Sequence, residues 1–349
     1  MHGHDIIVVG ASAGGVEALV EVARALPADL PAAVFVVLHI PPSGPSMLAT
    51  ILGRAGALPA TTARDGELFH TGHIYVAPPD HHLLIVGRYL RLGRGPKENR
   101  SRPAVDPLFR SAAISHGPRV IGVVLSGNLD DGTVGLAAIK ARGGLAVVQE
   151  PHEALYPGMP LSAVENVAVD SCLPLRDIGL ALANLATVPV EVNGAMQMTD
   201  DAATDHLELE AETAKFLLQP VSNEEHGGIP SQFSCPDCHG VLYEQSDGDI
   251  IRYRCRVGHA YSVETLQSVQ ENAVEEALWA AIRALEEKAA LAQRMLRQAT
   301  HRGINSMINR YTQDAETAGH QAATLRQLLL KELSGQTVGD GAVSSGSFR

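Results

Sequence analysis

Ser12 stands in the stretch IIVVGASAGG, where an apolar β-type run (Ile6 to Val9) passes through Gly10 into a helical pattern starting near Val16. A serine on such a strand-to-helix turn is held clear of the backbone, and N–H groups close to it can meet an oxyanion. Gly10-Ala11-Ser12-Ala13-Gly14 also fits the G-x-S-x-G spelling of a nucleophile elbow. A hydroxyl alone is a poor nucleophile. It needs an imidazole to take its proton and a carboxylate to fix the tautomer of that imidazole. His39 closes the second apolar run, in VVLHIPP, and Asp131 follows a later one, in VVLSGNLDDGTVG. In open α/β sheets, catalytic groups sit beyond the carboxyl ends of the strands. Ser12, His39 and Asp131 are therefore expected on one edge of one sheet.

Each residue also has a plainer reading. A Gly-rich turn after a first strand suits a phosphate or dinucleotide, although G-x-G-x-x-G is broken here by Ser12 at the second glycine position. The acid expected near the end of the second strand is also missing, and His39 stands there instead. A strand-end histidine can be satisfied in a core, and Asp130 or Asp131 can cap a helix beginning near Thr133.

A second set of residues suggests a metal. Cys235-Pro-Asp-Cys238 is followed by Cys255-Arg-Val-Gly-His259. Two close pairs joined by a short polar, hairpin-like stretch suit a tetrahedral structural zinc site. About thirty residues with little apolar content need such a staple to fold. Two competing spellings are a c-type haem attachment at Cys235-x-x-Cys238-His239, which would need export, and a C-x-x-C redox pair. The redox reading leaves Cys255 and His259 unexplained, and His239 is an alternative fourth ligand. Cys172, in an apolar run, reads as a buried small hydrophobe.

These groups need elements to hold them. Residues 5–187 alternate β-like runs (Ile6–Val9, Val34–His39, Val120–Leu125, Leu145–Gln149, Ala168–Cys172) with helical patterns (Val16–Ala25, Val134–Ala141, Leu161–Val164, Ile178–Leu185). Short, nearly continuous apolar runs are expected of parallel strands covered on both faces. The fold class is α/β: a doubly wound, mostly parallel sheet with helices on both faces. Ile74–Ala77, Leu83–Val86 and Tyr89–Leu92 suggest an antiparallel insertion. An acidic linker, residues 188–232, carries one helical candidate at Leu207–Leu218. The zinc-ribbon-like module spans 233–262. Residues 263–334 read as two long helices broken near Gly303. In the second, Ile304, Ile308, Tyr311, Ala315, Ala318, Ala322, Leu325 and Leu329 form a heptad seam. This seam suits partner binding or self-association, or a hairpin packed on itself. A tail, 335–349, rich in Gly and Ser, reads as disordered.

The totals set limits. A chain of 349 residues holds one large domain and something smaller. A net charge of −12 argues against general nucleic-acid binding. No run approaches the roughly 18 apolar residues of a membrane span, so no insertion is expected. The start, Met-His-Gly-His-Asp, lacks the basic region of a signal peptide, which makes cytoplasm the expected compartment.

IIVVGASAGG, VVLHIPP, SRPAVDPLFRSAA, VVLSGNLDDGTVG and YPGMP, in that order, resemble the catalytic domain of the CheB-type protein-glutamate methylesterases over residues 5–187, expected as the domain 1–187. The resemblance implies hydrolysis of γ-glutamyl methyl esters on chemoreceptor helices, with release of methanol, and deamidation of certain glutamines. It implies Ser12 as nucleophile, His39 as general base and acid, and Asp131 as the orienting carboxylate, with no cofactor for catalysis. Asp131, not Asp130, matches because it directly precedes Gly132. Asn128 stands where the family usually has methionine, and Ala13 where many members have threonine. The resemblance also implies an N-terminal receiver domain in family members; with the first strand starting near Ile6, none is expected here. Arg102 and Arg110 are candidates for substrate contact, and Asp106, before Pro107, for a helix N-cap. A weaker resemblance links the tail ending in R-C-R-V-G-H to other methylesterase-like proteins. The rival reading is a scaffold whose zinc module and helices recruit partners; a nucleotide-binding domain is the third.

Overall fold

The protein is described here by a computed structural model covering residues 3–190, 228–247 and 250–339. It divides into two compact units, Met1–Leu266 and Gln267–Arg349.

The first unit is built on a seven-stranded sheet. Its strands are β1 (Ile6–Ala11), β2 (Ala33–Leu38), β3 (Ala60–Thr62), β4 (His73–Val76), β7 (Val120–Val124), β8 (Leu145–Gln149) and β9 (Ser171–Leu173). They lie in the order β3-β4-β2-β1-β7-β8-β9, and every pairing is parallel. Alternation along β1 explains the two layers. Ile6 and Val8 face one apolar cluster, Ile7 and Val9 the other, and all four are buried. Burying each such side chain stabilises by about 1.5–3 kcal/mol. One face is covered by α3 (Val105–His116), α4 (Thr133–Ala141) and α5 (Gly158–Asn166) through Phe109, Leu136 and Met159. The other is covered by α1 (Gly15–Ala25), α2 (Leu48–Ala55) and α6 (Leu175–Thr187) through Leu19, Leu52 and Ile178.

Two expectations change and three elements are added. Residues Ile74–Ala77 do not belong to an antiparallel insertion: β4 adds to the main sheet in parallel with β2, and only β5 (His82–Val86) and β6 (Tyr89–Gly93) form a hairpin. A four-residue apolar run carries no sign of its partner's direction. Cys172 is exposed, because β9 is the edge strand of the sheet. The helices α2 and α3 and the strand β3 add to the expected elements; α2 presents an apolar face that buries Leu48, Ala49 and Leu52.

The Cys/His module belongs to the same unit. It is a four-stranded antiparallel sheet of β10 (Ile229–Ser234), β11 (Val241–Asp247), β12 (Ile250–Cys255) and β13 (Ala260–Ser262). Its apolar centre holds little more than Leu242, Tyr253, Tyr261 and Leu266 around Cys235 and Cys255.

The second unit consists of the bulk of α7 (Val263–Arg302) with α8 (Asn305–Gly339). Gly303, at φ 68°, turns the chain between them. Ala318, Ala322 and Leu329 of the heptad seam are buried along with Ile282, Ala289, Ala292 and Ala299, and Arg326 pairs with Glu286 across the two helices. α8 continues past Ser334, so residues 335–339 of the expected tail are helical. Residues 340–349, most of the linker 188–232 and the helical candidate Leu207–Leu218 lie outside the described residues.

Candidate active site

Strand order reverses at β1, which has β2 on one side and β7 on the other. A crevice opens at such a point beyond the carboxyl ends of the strands. Ser12 directly follows β1, His39 directly follows β2, and Asp131 lies in the loop from β7 to α4. The ladder extends just far enough to fix the first two. The Ser12 N–H donates to the Ser126 carbonyl at 3.0 Å, and the His39 N–H to the Ala11 carbonyl at 3.1 Å. His39 Nδ1 then lies 3.1 Å from Ser12 Oγ, and His39 Nε2 lies 2.6 Å from Asp131 Oδ2. With a proton on Nε2 facing the carboxylate, Nδ1 offers a lone pair to the serine hydroxyl; the tautomer is assigned from this network. Asp131 is buried, whereas Ser12 and His39 are half-buried and open to a reactant.

Glycines allow the close approach at the nucleophile. Gly14 has φ +70°, which a side chain rarely adopts. A Cβ on Gly127 would lie 2.1 Å from Met159 Sδ and 2.9 Å from Ser12 Cβ. Ser126 ties this turn to the loop before α5: its Oγ donates to the Ala13 carbonyl at 2.8 Å and accepts from the Tyr156 N–H at 3.0 Å. Its own N–H donates to Gln149 Oε1 at 2.9 Å.

Asp131 does more than meet the histidine. Its carboxylate accepts the Val105 N–H at 2.7 Å and the Asp106 N–H at 3.3 Å, so it caps α3 from another loop. Asp106, expected to cap its own helix, instead accepts the N–H groups of Gly132 at 3.1 Å and Gly135 at 2.7 Å, and so caps α4. The helices α3 and α4 thus exchange caps. Neither Asp130 nor Asp131 caps the helix that follows it, because both carboxylates turn elsewhere. Burial pushes Asp131 upward. The hydrogen bond and charge of His39, with the Val105 N–H and the Asn99 amide, outweigh burial and hold it below the usual carboxylate range. Burial and the facing Asp131 push Asp106 well above that range. Two buried carboxyls this close cannot both ionise freely, and the geometry leaves the charge on the one facing His39.

The structure also separates the two neighbouring aspartates. Asp130 Oδ1 accepts from Ser262 Oγ at 2.6 Å and Thr265 Oγ1 at 3.0 Å, so Asp131 alone reaches the imidazole. Neither candidate arginine faces Ser12. Arg110 is buried with Glu98 at 2.7 Å, and Arg102 pairs with Asp80 at 2.6 Å. Ser126, Gln149 and Asn99 were missed. Ser126 at least falls in the VVLSG run, but Asn99 lies in a basic polar loop with no informative spacing. A cleft of about 240 Å³ lined by Val16, Leu38, Ile40, Met47 and Ile51 borders the site through the chain neighbours of His39.

Cys235, Cys238, Cys255 and His259 also converge. Their ligand atoms all lie within 4.8 Å of one another. Cys238 Sγ is 3.6 Å from Cys255 Sγ, and His259 Nδ1 lies 3.7 Å and 3.5 Å from the sulfurs of Cys235 and Cys255. A zinc tetrahedron with bonds of about 2.0–2.3 Å has edges of about 3.3–3.8 Å, so the donor set fits a metal ion. Each pair sits in a tight turn, closed by the His239 N–H on the Cys235 carbonyl and the Gly258 N–H on the Cys255 carbonyl. His239 is not in the cluster.

Known proteins agree with this architecture. The family described as CheB methylesterase matches residues 7–182. Similar relatives named protein-glutamate methylesterase/protein-glutamine glutaminase 2 occur in Methanosarcina mazei, 37% identical over 179 residues (49% of this chain and 49% of the relative), and in Pseudomonas aeruginosa, 40% identical over 181 residues (51% and 52%). The chain therefore spans about half the length of the curated relatives it matches. The crystal structure of the Thermotoga maritima CheB methylesterase catalytic domain matches at 34% identity and TM-score 0.51, covering 53% of this chain and 100% of that one. With the family match spanning half of its residues, the chain belongs to the CheB methylesterase family.

Proposed function

We propose that this protein is a serine hydrolase that cleaves glutamate γ-methyl esters on protein substrates and deamidates glutamine at the same site. The observation carrying this reading is the continuous hydrogen-bonded chain Ser12–His39–Asp131, 3.1 Å and 2.6 Å long in its two links. The names of the relatives support the same pair of activities. In the proposed mechanism, His39 Nδ1 takes the Ser12 proton as Oγ attacks the ester carbonyl. Asp131 stabilises the imidazolium, which returns the proton to the departing methoxide and releases methanol. Water activated by the same imidazole then attacks the Ser12 ester, giving free glutamate and regenerated serine. For glutamine the leaving group is ammonia. The amino end of α1, just beyond Ser12, favours the developing oxyanion electrostatically.

The preferred substrate is a methylated helix of a chemoreceptor-like protein, with the apolar cleft beside His39 taking its flanking side chains. The Cys/His cluster is assigned a structural zinc ion, because four protein donors close the coordination shell. The long helices serve partner binding or self-association. No helix among the described residues is long and apolar enough to cross a membrane, in keeping with work on the cytoplasmic side.

The test is methanol release from methyl-esterified receptor protein, comparing wild type with Ser12→Ala. Release that vanishes in the variant supports the reading. Release that persists in the variant removes Ser12 as the nucleophile, and folded wild type that releases none removes this substrate and leaves either a different protein substrate or the scaffold reading.

A further inference from the structure

The Cys/His module reaches the triad through one side chain. Immediately after the ligand-set residue His259, β13 lies along residues 97–99. The Ala260 N–H donates to the Lys97 carbonyl at 3.3 Å, and the Asn99 N–H to the Ala260 carbonyl at 2.9 Å. The Asn99 side chain then faces both ways. Its Oδ1 accepts the Ser262 N–H of the module at 3.0 Å. Its Nδ2 donates to Asp131 Oδ1 at 3.2 Å, with a longer approach of 3.4 Å to Asp106 Oδ2. Flanking contacts lock the same seam. Buried Glu98 pairs with Arg110 of α3 at 2.7 Å and with Arg254 of β12 at 3.4 Å, and Asp130 accepts hydroxyls from Ser262 and Thr265.

We propose that Asn99 is a positioning residue of the active site, through which the folded Cys/His module sets the orientation of the Asp131 carboxylate. The inference rests on reading Ser12, His39 and Asp131 as a hydrolytic triad. An amide suits the post because it satisfies an acceptor and a donor at once and adds no charge. The site already crowds Asp131, Asp106 and Asp130, with Glu98 and Glu264 near and His39, Arg110 and Arg254 as the cations or potential cations around them. Asn99 also sits at φ 47°, a left-handed conformation that asparagine tolerates. With its amide fixed by the module, Asp131 Oδ1 is pinned while Oδ2 stays on the imidazole. Loss of the module would free the carboxylate to rotate and would let its charge concentrate on His39.

The experiment measures the rate at which a fluorophosphonate probe labels Ser12 across pH 5 to 9, in the full chain. Three proteins are compared: wild type, Asn99→Gly and Asn99→Asp. Glycine accepts the left-handed backbone and keeps the main-chain bond to Ala260 while deleting the amide. Aspartate keeps an acceptor for the Ser262 N–H but replaces the amide donor with a carboxyl group. Asn99→Gly is expected to label about 10- to 100-fold more slowly, with the midpoint of the pH profile moved upward; in Asn99→Asp the new carboxyl, set beside two buried carboxyls, takes up a proton and restores a donor to Asp131, so its midpoint should move less. The upward sign follows because a less neutralised Asp131 favours the imidazolium, and labelling needs neutral imidazole. Wild type stripped of metal by a chelator is expected to show the same upward move. An unmoved midpoint in Asn99→Gly, whether or not the rate falls, means that Asn99 is only structural and overturns the proposal. An unmoved midpoint in the stripped protein overturns the part assigned to the module. No labelling of Ser12 in folded wild type sinks the hydrolase reading itself, and this inference with it.

Discussion

In the α/β region, Ser12, His39 and Asp131 come from three strand ends and rest on two continuous apolar layers, one on each face of the sheet. In the Cys/His module, the four converging side chains come from two turns and have a handful of apolar residues beneath them. The first region can hold polar side chains at fixed distances because the sheet is rigid before they are added. The second has too little buried area for that, and under the proposed zinc site the metal would supply much of its folding free energy. The difference teaches where each region should fail. On the proposed reading, Ser12, His39 and Asp131 are passengers on a stable frame, whereas the Cys/His cluster is the frame of its own module.

The largest expected effect separates chemistry from frame. Asp131→Asn should lower methanol release by about 10³- to 10⁴-fold, as a wrong imidazole tautomer does in such triads. The amide oxygen can keep only one of the two capping bonds, that from Val105 at the Oδ2 position or that from Asp106 at the Oδ1 position, so urea unfolding should shift by about 1–2 kcal/mol. A stability loss as severe as the activity loss would mean that Asp131 belongs to the frame.

Cys238→Ser probes the other side. The variant should lose the bound metal, about one zinc ion per chain in wild type, together with several kcal/mol of module stability. Hydrogen exchange reads both regions at once. The amides of β10 to β13 should exchange freely while those of β1, β2 and β7 stay protected. Continued protection in the module would show that its own packing suffices.

The smallest effect lies on the seam between the regions. Burial lifts the Asp130 carboxyl to about 6, above its ordinary value of 3.8. A carboxyl raised on folding binds its proton more tightly in the folded state. Stability therefore increases as pH falls through about 6 toward 4, and ionising Asp130 costs stability above that window. Comparing urea unfolding of wild type with Asp130→Asn at pH 5 and pH 7 isolates this group. Wild type should lose about 1.3 kcal/mol relative to the variant between the two pH values. A difference that does not change with pH would mean that Asp130 is already ionised at pH 5.

Residue type and spacing made much of this legible. The nearly continuous apolar runs at Ile6–Val9 and Val34–His39 require burial on both faces, which is met by a parallel sheet, and the residues following them must then share an edge. The ligand spacing at Cys235–Cys238 and Cys255–His259 names its own chemistry. Directions and partners were not legible. Nothing local to Ile74–Ala77 says that it joins the main sheet, since a strand's neighbour is chosen by global packing. Asp106 looks like the cap of its own helix, and only the crossing of α3 and α4 turns it to another. Asn99 is one polar residue among several in its loop, and its role exists only because β13 lies beside it.

The sequence by itself determined the chemistry available to this protein and the elements that carry it, because strand periodicity, turn spelling and ligand spacing are local properties of the chain. Tertiary structure alone decided which of two adjacent aspartates meets His39, how α3 and α4 exchange caps, and that the Cys/His module is linked to Asp131 through Asn99. Those outcomes depend on contacts between residues as far apart as Asn99 and Ser262, which are fixed only when the layers pack.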